Sequence, residues 1–486
     1  MKISFIFIML ALCATLNSQV RQPHSLYFME TIPQISQMNP ALQPRANFYV
    51  MLPSVNVDLL SDLAVKDIFQ QQGNKWHTPV ESQYDYAKLR RSIGKKSTML
   101  NGAADVDLLG FGFRMGNNYF SFGISEHIAV NTALPSDLFK IPEKFFPNGT
   151  ALDFSPLRTQ GIAYMQLRFG FSYQVTDKLT VGVNLKPIFG QFAVATKVDK
   201  FMLRSGEQQW ELDGKGNIYS SAPIDIIMKE DDKDKIDEIE FRDFDDYEVN
   251  DWVNSYATGF NNPGIAFDLG ATYQYNERLT LSASLNNLGF IAWNKDLNSI
   301  AFNGKYTFEG LYYDISDDND DPFGTLIDSI ANAMNYNVRH DKFKTPLAPV
   351  LHVAASYRLT PAVSVGLMSR TVFWNKGVRQ SFNTTLSLQP YSFVSMNVGA
   401  TWQVKSNVFF GGGFTFLLGP LPLQFYLLVD NAPVYYSTLK INDNEPIPYI
   451  PERLKTLTMR TGLNLIFGRH GYVNKPMLNK GNSSWN

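Results

Sequence analysis

Residues 162–185 read IAYMQLRFGFSYQVTDKLTVGVNL, and the alternation within this stretch decides the fold. Apolar side chains recur at every second position from Ala163 to Val175 and again from Leu179 to Leu185. A short polar turn, residues 176–178, separates the two runs. Successive side chains of a β-strand point to opposite faces. The stretch therefore predicts a β-hairpin with one apolar face and one polar face.

The same hairpin pattern recurs along the chain. An aromatic residue precedes an aliphatic residue by six positions, across a short turn, in the segments YQVTDKL, YQYNERL, YRLTPAV and WQVKSNV, which begin at Tyr173, Tyr273, Tyr357 and Trp402. The spacing between the copies is irregular, which argues against a solenoid or propeller of fixed period. The chain therefore repeats one kind of turn and places long, variable segments between the copies.

Two environments explain an apolar face of this kind. In a soluble sandwich the face packs against a second sheet, whereas in an outer-membrane barrel it meets lipid, with aromatic residues at the interface. The predicted strands have about 10–16 residues, where soluble strands usually have about 5 or 6 and membrane-spanning strands need roughly 9–11. Strand length therefore favours an all-β fold, a transmembrane antiparallel β-barrel, and leaves a soluble β-protein as the other interpretation.

Composition agrees with a barrel and excludes some partners. Aromatic residues make up 14% and charged residues only 18% of the 486 residues, which suits a chain with a lipid-facing band. After the N-terminal segment no run of 18 or more apolar residues occurs, so the sequence does not support helical membrane spans. The net charge of −2 gives no reason to propose nucleic acid as a partner.

The N-terminal residues 1–18 have the pattern of a cleaved secretory signal peptide. Lys2 supplies the positive start, and residues 3–14 form an apolar core that is too short for a spanning helix. Cys13 is the single cysteine and lies inside this segment. The mature chain is therefore expected to contain no disulfide, no thiolate metal site and no cysteine nucleophile.

Fourteen segments between residues 47 and 467 are predicted to span the membrane. They are 47–58, 103–115, 118–130, 159–175, 179–194, 262–275, 279–293, 347–359, 362–374, 378–389, 392–404, 408–417, 422–430 and 456–467. An even number of strands places both termini in the periplasm. The remaining residues 468–486 are then expected to form a polar periplasmic tail.

The connections between these segments alternate between short and long. Turns after Met115, Val175, Tyr275 and Leu359 are short, whereas the alternate connections 59–102, 131–158, 195–261 and 294–346 are long. Outer-membrane barrels have short periplasmic turns and long extracellular loops. One turn disagrees, because strand parity puts the turn near Ser406 on the outer side although it resembles the periplasmic turns. Either aromatic girdles lie at both faces, or the count before this turn is wrong by one.

Residues 19–46 precede the first spanning segment and contain Asn39, Pro40 and Ala41. An Asn-Pro-Ala near the mature N-terminus, followed by a long β-chain rich in Gly and aromatic residues, resembles the FadL-like outer-membrane barrels. The closest resemblance is to their uncharacterised Bacteroidetes relatives, which include PorV-like proteins. The resemblance implies a barrel of about fourteen strands with residues 19–46 as a plug inside it, and Asn39–Ala41 as part of the gate. An ordinary Asn-Pro turn is the alternative.

Two further features have a functional and a plain interpretation. Pro187 interrupts the strand VGVNLKPIFG and cannot donate a ladder hydrogen bond, so it predicts a kink or a break in pairing. In FadL-like barrels such a kink opens a lateral exit toward the membrane, whereas a strand end or a bulge is the plain alternative.

In the loop 195–261, clustered acidic residues could supply oxygen ligands to a cation or belong to a solvated surface. The candidate ligands are Asp231, Asp232, Asp234, Asp237 and Glu238.

Other segments suggest structure at the outer mouth. Residues 299–312 alternate and predict β-structure within or above an outer loop. Residues 323–338 carry apolar side chains at helical spacing and predict a short amphipathic helix over the mouth.

The sequence contains no recognisable catalytic motif, so an enzyme is not expected. The six histidines form neither an HExxH motif nor a close metal pair, and no GxSxG elbow or phosphate-binding loop occurs. A hydrolase would need a Ser–His pair that meets in space. Ser125 and His127 point to the same face of one strand and are the pair that could do so. No cofactor is implied.

The chain is therefore expected in the cell outer membrane, in contact with lipid, with two hypotheses for its function. The first is the uptake or passage of a hydrophobic small molecule such as a fatty acid, bound by apolar lumen residues and gated by the plug. The second is a PorV-like structural or shuttle protein that docks secreted proteins or a partner complex through its extracellular loops. A transporter needs a continuous apolar pocket, whereas a docking protein needs an exposed apolar patch on its loops. Aromatic residues of the loops serve both hypotheses: Trp76, Tyr84, Tyr86, Phe145, Phe146, Tyr312 and Tyr313.

Overall fold

The structure of the protein is a computed structural model. It describes residues 23–72, 75–77, 84–94, 96–140, 148–241, 261–309, 330, 334–374, 377–404, 408–418, 421–431, 437–439, 447–450 and 455–469. The predicted signal peptide, residues 1–18, lies outside these ranges, as does the predicted tail beyond Arg469.

The described chain is built almost entirely of β-strands. In order they are β1 (Ala46–Ser61), β2 (Gln70–Gln72), β3 (Lys75–His77), β4 (Ser97–Met115), β5 (Asn118–Pro135), β6 (Ala151–Asp153), β7 (Arg158–Gln174), β8 (Leu179–Arg204), β9 (Gln209–Ser221), β10 (Ile224–Met228), β11 (Ile236–Phe241), β12 (Pro263–Gln274), β13 (Leu279–Trp293), β14 (Leu297–Glu309), β15 (Asn337–Arg339), β16 (Phe343–Pro346), β17 (Val350–Thr360), β18 (Val363–Trp374), β19 (Gly377–Tyr391), β20 (Val394–Gln403), β21 (Val408–Leu417), β22 (Leu423–Asp430), β23 (Ser437–Leu439), β24 (Ile447–Ile450) and β25 (Thr456–Arg469). The helices are short: α1 (Val65–Ile68), α2 (Tyr86–Ser92) and 3-10 turns at His24–Phe28, Pro33–Gln37 and Ser136–Lys140.

Fourteen of these strands close into one antiparallel barrel. Going round the wall, the order is β1, β4, β5, β7, β8, β12, β13, β17, β18, β19, β20, β21, β22 and β25, and β25 pairs with β1 to complete the circle. Each strand overlaps one of the fourteen segments expected from the sequence, so the predicted fold class and strand count are confirmed. Closure leaves the wall without a free edge, which is the condition for a sheet to cross a membrane.

The outward face of the barrel is apolar. Large hydrophobic side chains such as Leu109, Val353 and Leu367 are about half exposed there, with values of 47%, 50% and 55%. Aromatic residues follow one another in register across neighbouring strands near the short turns, in the order Phe467, Phe48, Phe113, Phe120 and Phe171. Ring centroids are 5.6 Å apart for Phe467 and Phe48, and 5.3 Å apart between Phe120 and each of its two neighbours. Such a row is typical of the aromatic girdle at a membrane interface. Among the described helices, none has the length and hydrophobicity needed to cross a bilayer.

The two ends of the barrel differ in their connections. At one end, here called the short-turn end, consecutive strands are joined by residues 116–117, 175–178, 275–278, 361–362, 392–393 and 418–422. At the other, the long-loop end, the connections include 62–96, 136–157, 205–262, 294–349 and 431–455. Strands β20 and β21 adjoin at the long-loop end, as strand parity predicts for the connection near Ser406, most of which lies outside the described residues. The strand count before this connection is therefore correct.

The loop predicted at 195–261 contains regular structure. Strand β8 continues to Arg204 and turns back into β9, which pairs with β14 along its whole length. The alternation at 299–312 therefore marks a strand, β14, that extends to Glu309. Behind this sheet, Leu152, Val198, Leu203, Leu212 and Phe302 form a separate apolar cluster. Most of the helix predicted at 323–338 lies outside the described residues.

Candidate functional site in the plugged lumen

Residues 23–45, called the plug below, lie inside the barrel. A proline stands at the start of each of its two 3-10 turns. Pro23 directly precedes the first turn, and Pro33 is the first residue of the second. Apolar plug side chains pack on the inner wall formed by β17, β18 and β22. The members of this cluster, called the apolar seat, are Leu26, Tyr27, Met29, Ile32 and Met38 from the plug and Ala354, Met368, Tyr426 and Leu428 from the wall.

Asn39 makes three hydrogen bonds, of which one reaches the wall and two lie within the plug. Its amide nitrogen donates to the Tyr27 hydroxyl over 3.0 Å and to the Ala283 carbonyl over 3.2 Å. Its side-chain oxygen accepts the backbone N–H of Ala41 over 2.9 Å, which closes a tight turn around Pro40. Asn39 is completely buried. The Asn39 amide therefore closes the Asn-Pro-Ala turn with its oxygen and ties the turn to β13 through one hydrogen bond from its nitrogen.

Two glycines of the wall make room for this segment. A Cβ atom at Gly182 would lie 2.3 Å from the Pro40 carbonyl oxygen, and a Cβ atom at Gly270 would lie 2.1 Å from the Asn39 side-chain oxygen. Both distances are far below van der Waals contact, so a larger residue requires the plug to move. Gly102 provides a contrast in the same wall, because its Cβ would meet only Leu59, at 3.7 Å.

Polar contacts attach the plug to strands on all sides of the barrel. Gln34 and Asn464 exchange two amide hydrogen bonds of 2.9 and 3.2 Å. The Met38 carbonyl accepts from Ser284 and from Asn286, both over 2.8 Å. Further wall residues that bond the plug are Arg114, Arg168, Ser172, Asn184, Gln389, Asn397, Gln424 and Asp430. The plug is thus fixed inside the barrel by many directional contacts.

Two buried ion pairs lie on the inner wall. Arg460 Nη2 contacts Asp107 Oδ2 at 2.5 Å, and Lys186 Nζ contacts Asp268 Oδ2 at 2.6 Å. Asp268 also accepts from Asn184 and from the backbone N–H of Asn287, both over 2.8 Å. Charges buried in this way need partners, because the cost of removing them from water is large. Alternation predicts that these residues face inward, but it does not predict which of them meet.

A small polar cavity lies beside the plug. It measures about 90 Å³ and is bordered by Gln37 and Met38 of the plug. Its walls carry both signs of charge: Asp105, Asp107, Arg168, Lys186 and Arg370, together with Ser125, His127, Tyr164, Gln166, Asn286, Asn287 and His352. A transporter is expected to have an apolar pocket. Most residues that line this cavity are polar or charged, although Met38, Ala129 and Val350 add apolar groups, and the plug covers the apolar patch of the wall.

Ser125, His127 and Asp105 form a chain of hydrogen bonds at this cavity. Ser125 Oγ lies 3.0 Å from His127 Nε2, and His127 Nδ1 lies 2.5 Å from Asp105 Oδ1. The sequence indicates that Ser125 and His127 share a face, but it does not identify Asp105. A bulge in β4 places Asp105 opposite His127, because the register with β5 shifts between Asp107 and Leu109. The signal for this bulge is the break in alternation at Leu108 and Leu109, which are both exposed.

Pro187 lies within a continuous strand rather than at a strand end. On one side the ladder with β12 runs unbroken across it, and Pro187 pairs with Ile265. On the other side the ladder with β7 connects Gln166 to Ile188 and Phe169 to Leu185, without pairs for the residues between them. The expected break in pairing is thus confined to two residue pairs at the β7–β8 seam.

The acidic candidates lie at the long-loop end, around the hairpin of β10 and β11. Asp231, Asp232 and Asp234 are in its turn, and Asp237 and Glu238 are in β11. Within the described ranges, no group of three or more His, Cys, Asp or Glu side chains is placed to hold a metal ion. The structure therefore does not bring these five residues together as a cation site.

The loop aromatics do not form one surface in the described residues. Tyr84 is buried, and Tyr86 packs against it with ring centroids 5.0 Å apart, in a cluster with Leu63 and Leu89. The side chains of Trp76, Phe145, Phe146, Tyr312 and Tyr313 lie outside the described part of the chain. Tyr84 and Tyr86 therefore stabilise a loop and do not present an exposed patch.

The fold and the lumen define a transmembrane β-barrel of fourteen strands with an N-terminal plug. Over residues 40–430 the chain matches the family of unknown function DUF5723, and it belongs to that family. No curated protein matches it significantly in sequence.

Solved structures that are similar to this chain are also barrels. The toluene transporter TbuX of Ralstonia pickettii has 10% identity and a TM-score of 0.42, over 90% of this chain and 94% of the other. The toluene transporter TodX of Pseudomonas putida has 9% identity and a TM-score of 0.41, over 92% and 98%. A FadL homologue of Pseudomonas aeruginosa has 10% identity and a TM-score of 0.43, over 93% and 97%.

Proposed function

We propose that this protein is a FadL-like channel of the cell outer membrane that passes a hydrophobic small molecule and is gated by its plug. The observation that carries the proposal is the apolar seat. The plug covers an apolar patch of the inner wall formed by Ala354, Met368, Tyr426 and Leu428. A hydrophobic ligand that replaces the plug on this patch gains the same burial of apolar area. The lumen therefore offers a binding surface that becomes available only when the plug moves.

The outward face supports the membrane location. The exposed side chains form an apolar band, and an aromatic row runs near the short turns. A closed barrel with such a band is stable in lipid and would aggregate in water. We therefore place the chain in contact with outer-membrane lipid, after export by a signal peptide at residues 1–18, with its short turns in the periplasm.

Asn39, Pro40 and Ala41 are proposed as the latch of the gate. Asn39 bonds the wall at the Ala283 carbonyl and closes the turn around Pro40, and the segment fits only because residues 182 and 270 are glycines. The β7–β8 seam at Pro187 is proposed as the lateral exit, because two ladder pairs are missing there. Both roles follow from the location of these residues, one at the plug seat and one in the wall.

The docking hypothesis has less support from the described residues. It requires an exposed apolar or aromatic patch on the loops, whereas Tyr84 and Tyr86 pack within their own cluster. A PorV-like role, in which the extracellular loops hold secreted proteins, remains the second candidate because the plug fills the lumen. The two functions differ in whether a hydrophobic molecule crosses the wall.

Uptake of radiolabelled oleate by bacteria that lack their own channel for it tests the proposal. Cells expressing the protein are expected to take up oleate faster than cells with an empty vector. Gly270→Ala should raise uptake further, since overpacking by one methyl group costs about 1–3 kcal/mol and shifts the plug away from its seat. Gly102→Ala is the matched control, because its Cβ fits the wall.

The uptake measurements distinguish passage from docking and test whether the plug is the gate. Uptake that equals the empty vector in all variants, with the barrel folded in the outer membrane, contradicts passage and favours docking. Uptake that rises with Gly270→Ala and Gly102→Ala alike contradicts the plug as the gate.

A further inference from the structure

We propose that Ser125 is the nucleophile of an ester-hydrolysing site on the inner wall, with His127 as its general base and Asp105 as the residue that orients His127. The three side chains come from the neighbouring strands β4 and β5. Ser125 Oγ lies 3.0 Å from His127 Nε2, and His127 Nδ1 lies 2.5 Å from Asp105 Oδ1. In this arrangement a carboxylate orients a histidine, and the histidine activates a serine. The same arrangement recurs on unrelated folds.

The direction of the hydrogen bonds fits this role. An ionised Asp105 can only accept, so Nδ1 of His127 carries the hydrogen and Nε2 is left to accept the Ser125 proton. The imidazole ring stacks on Tyr164, with centroids 4.7 Å apart and an angle of 20° between the planes. Tyr164 is the residue directly opposite His127 on β7. The ring is therefore fixed on both its edge and its face by residues of rigid strands.

Two further residues of the cavity can stabilise a negatively charged intermediate. Gln166 is directly opposite Ser125 in the β5–β7 ladder, so their Cβ atoms are about 4.5–5.5 Å apart. Arg168 lies two residues further on the same face and borders the same cavity, and its Nη1 donates to Ser36 of the plug over 3.3 Å. Side-chain amides and cations close to a developing oxyanion are a large source of catalysis.

The reaction requires no group beyond an ester and water. Ser125 Oγ bonds to the ester carbonyl carbon while its proton moves to His127 Nε2. The bond to the alcohol oxygen then breaks, and His127 returns the proton to the leaving alcohol. Water attacks the acyl carbon next, gives a proton to His127, and releases the acid as Ser125 Oγ regains its proton from His127.

The space at the site limits the substrate to a short acyl group. The cavity that Ser125 borders measures about 90 Å³. Gln37 and Met38 of the plug border the same cavity, so the plug closes one side of the site. An ester with an acetyl-sized acyl group fits this description, with its alcohol part directed away from the plug. The inference does not depend on whether the channel passes a hydrophobic molecule.

A second Ser–His pair in the lumen serves as an internal comparison. Ser284 Oγ lies 3.2 Å from His352 Nδ1. Its hydroxyl donates to the Met38 carbonyl over 2.8 Å, and Nε2 of His352 is buried with no hydrogen-bond partner in the described chain. No carboxylate therefore orients this histidine. If burial beside a histidine were enough for reactivity, both Ser125 and Ser284 would react. The proposed mechanism also needs the carboxylate, so it predicts reaction at Ser125 alone.

The test is covalent labelling of the folded, detergent-solubilised full-length protein with a small alkyl fluorophosphonate. Ser125 Oγ displaces fluoride from phosphorus, and peptide mass spectrometry locates the adduct. We expect labelling at Ser125 and none at Ser284. His127→Asn and Asp105→Asn should slow it by about 100-fold or more, in line with the usual contribution of a general base. Ser220→Ala, in the outer sheet, is the control variant and should label at the wild-type rate.

The hydrolysis of p-nitrophenyl acetate by the same samples provides the second readout. It should be lost in Ser125→Ala and retained in Ser220→Ala. Folding of every variant is verified by the migration of unboiled protein in detergent gels. Absence of an adduct at Ser125 in folded wild-type protein overturns the proposal. So does an adduct whose rate is unchanged in folded His127→Asn.

Discussion

Asp107 shows at the scale of one residue how the plug and the wall depend on each other. Its carboxylate accepts from Ser54 of β1 over 2.9 Å, from Gln37 of the plug over 3.2 Å and from Arg460 of β25 over 2.5 Å. Arg460 also donates to Gln37 over 2.8 Å. One carboxylate therefore links three parts of the barrel, including the two strands next to its closing seam.

Replacing Arg460 with methionine is expected to destabilise the barrel strongly. The change keeps much of the side-chain volume but leaves Asp107 as a buried charge without its main partner, which typically costs 3–5 kcal/mol. Urea titration in detergent, followed by tryptophan fluorescence, measures the loss. The double variant Arg460→Met with Asp107→Asn should recover a large part of it. A double variant as unstable as the single one would contradict this role for the ion pair.

Glu30 and Arg45 give the plug a dependence on pH. The Glu30 carboxylate accepts from Nε and Nη2 of Arg45 at 2.9 and 2.8 Å. The Arg45 guanidinium lowers the pKa of Glu30 below its ordinary value. Because the pKa is lowered in the folded state, the contribution of this pair is complete above the ordinary value of about 4.3 and is lost as pH falls through the lowered pKa.

Hydrogen exchange measures this effect at the Arg45 amide, which donates to the Glu30 carbonyl over 3.2 Å. After correction for intrinsic exchange, protection should be constant between pH 7 and about pH 5 and should decrease at lower pH. Glu30→Gln should remove the pH-dependent step. The same step in the Gln variant would show that another group causes it.

At the scale of elements, the fourteen spanning strands could be predicted because one face meets lipid and the other meets the lumen. That difference forces a period of two along every strand. The extension of β8 to Arg204 is not predicted from the sequence. Up to Phe189 this strand pairs with β12, whereas from Ala193 onward it pairs with β9. Pairing partners in an outer sheet depend on contacts distant in sequence, which local alternation does not encode.

The lumen site could be predicted only in part for a related reason. Alternation indicates that Ser125 and His127 share a face, but the residue opposite them depends on register. A regular hairpin from the Met115–Asn118 turn would place Ile128 opposite Asp105. The extra residue at Leu108–Leu109 shifts the register by one and brings His127 there instead. Buried ion pairs such as Lys186–Asp268 were missed because they join separate hairpins.

Charged substitutions on β4 test the depth of the apolar band. Leu109 is 47% exposed and lies six residues above Met115, which is 59% exposed beside the turn. Six residues place Leu109 roughly 15 Å higher along a tilted strand, close to the middle of the bilayer. Leu109→Arg should cost about 2–4 kcal/mol and Met115→Arg about 0–1 kcal/mol in lipid-vesicle folding titrations. Equal costs would contradict this position of the membrane.

At the scale of the whole molecule, a closed wall, an apolar band and a plug held in the lumen act together. Closure satisfies the backbone hydrogen bonds, and the band provides the contact with lipid. The plug covers an apolar patch of the wall and borders the cavity at Ser125, so one segment adjoins both proposed sites. Movement of the plug would therefore expose a hydrophobic surface and open one side of the Ser125 cavity.

The membrane barrel is tested most directly by the state of the protein in the cell. The full-length chain is expressed, outer membranes are isolated, and boiled and unboiled samples are compared in detergent gels, with lipids extracted from the unboiled band for mass spectrometry. We expect an outer-membrane protein whose unboiled form migrates as a distinct compact band that carries a hydrophobic molecule. A soluble protein with identical migration in both samples would contradict the membrane barrel itself.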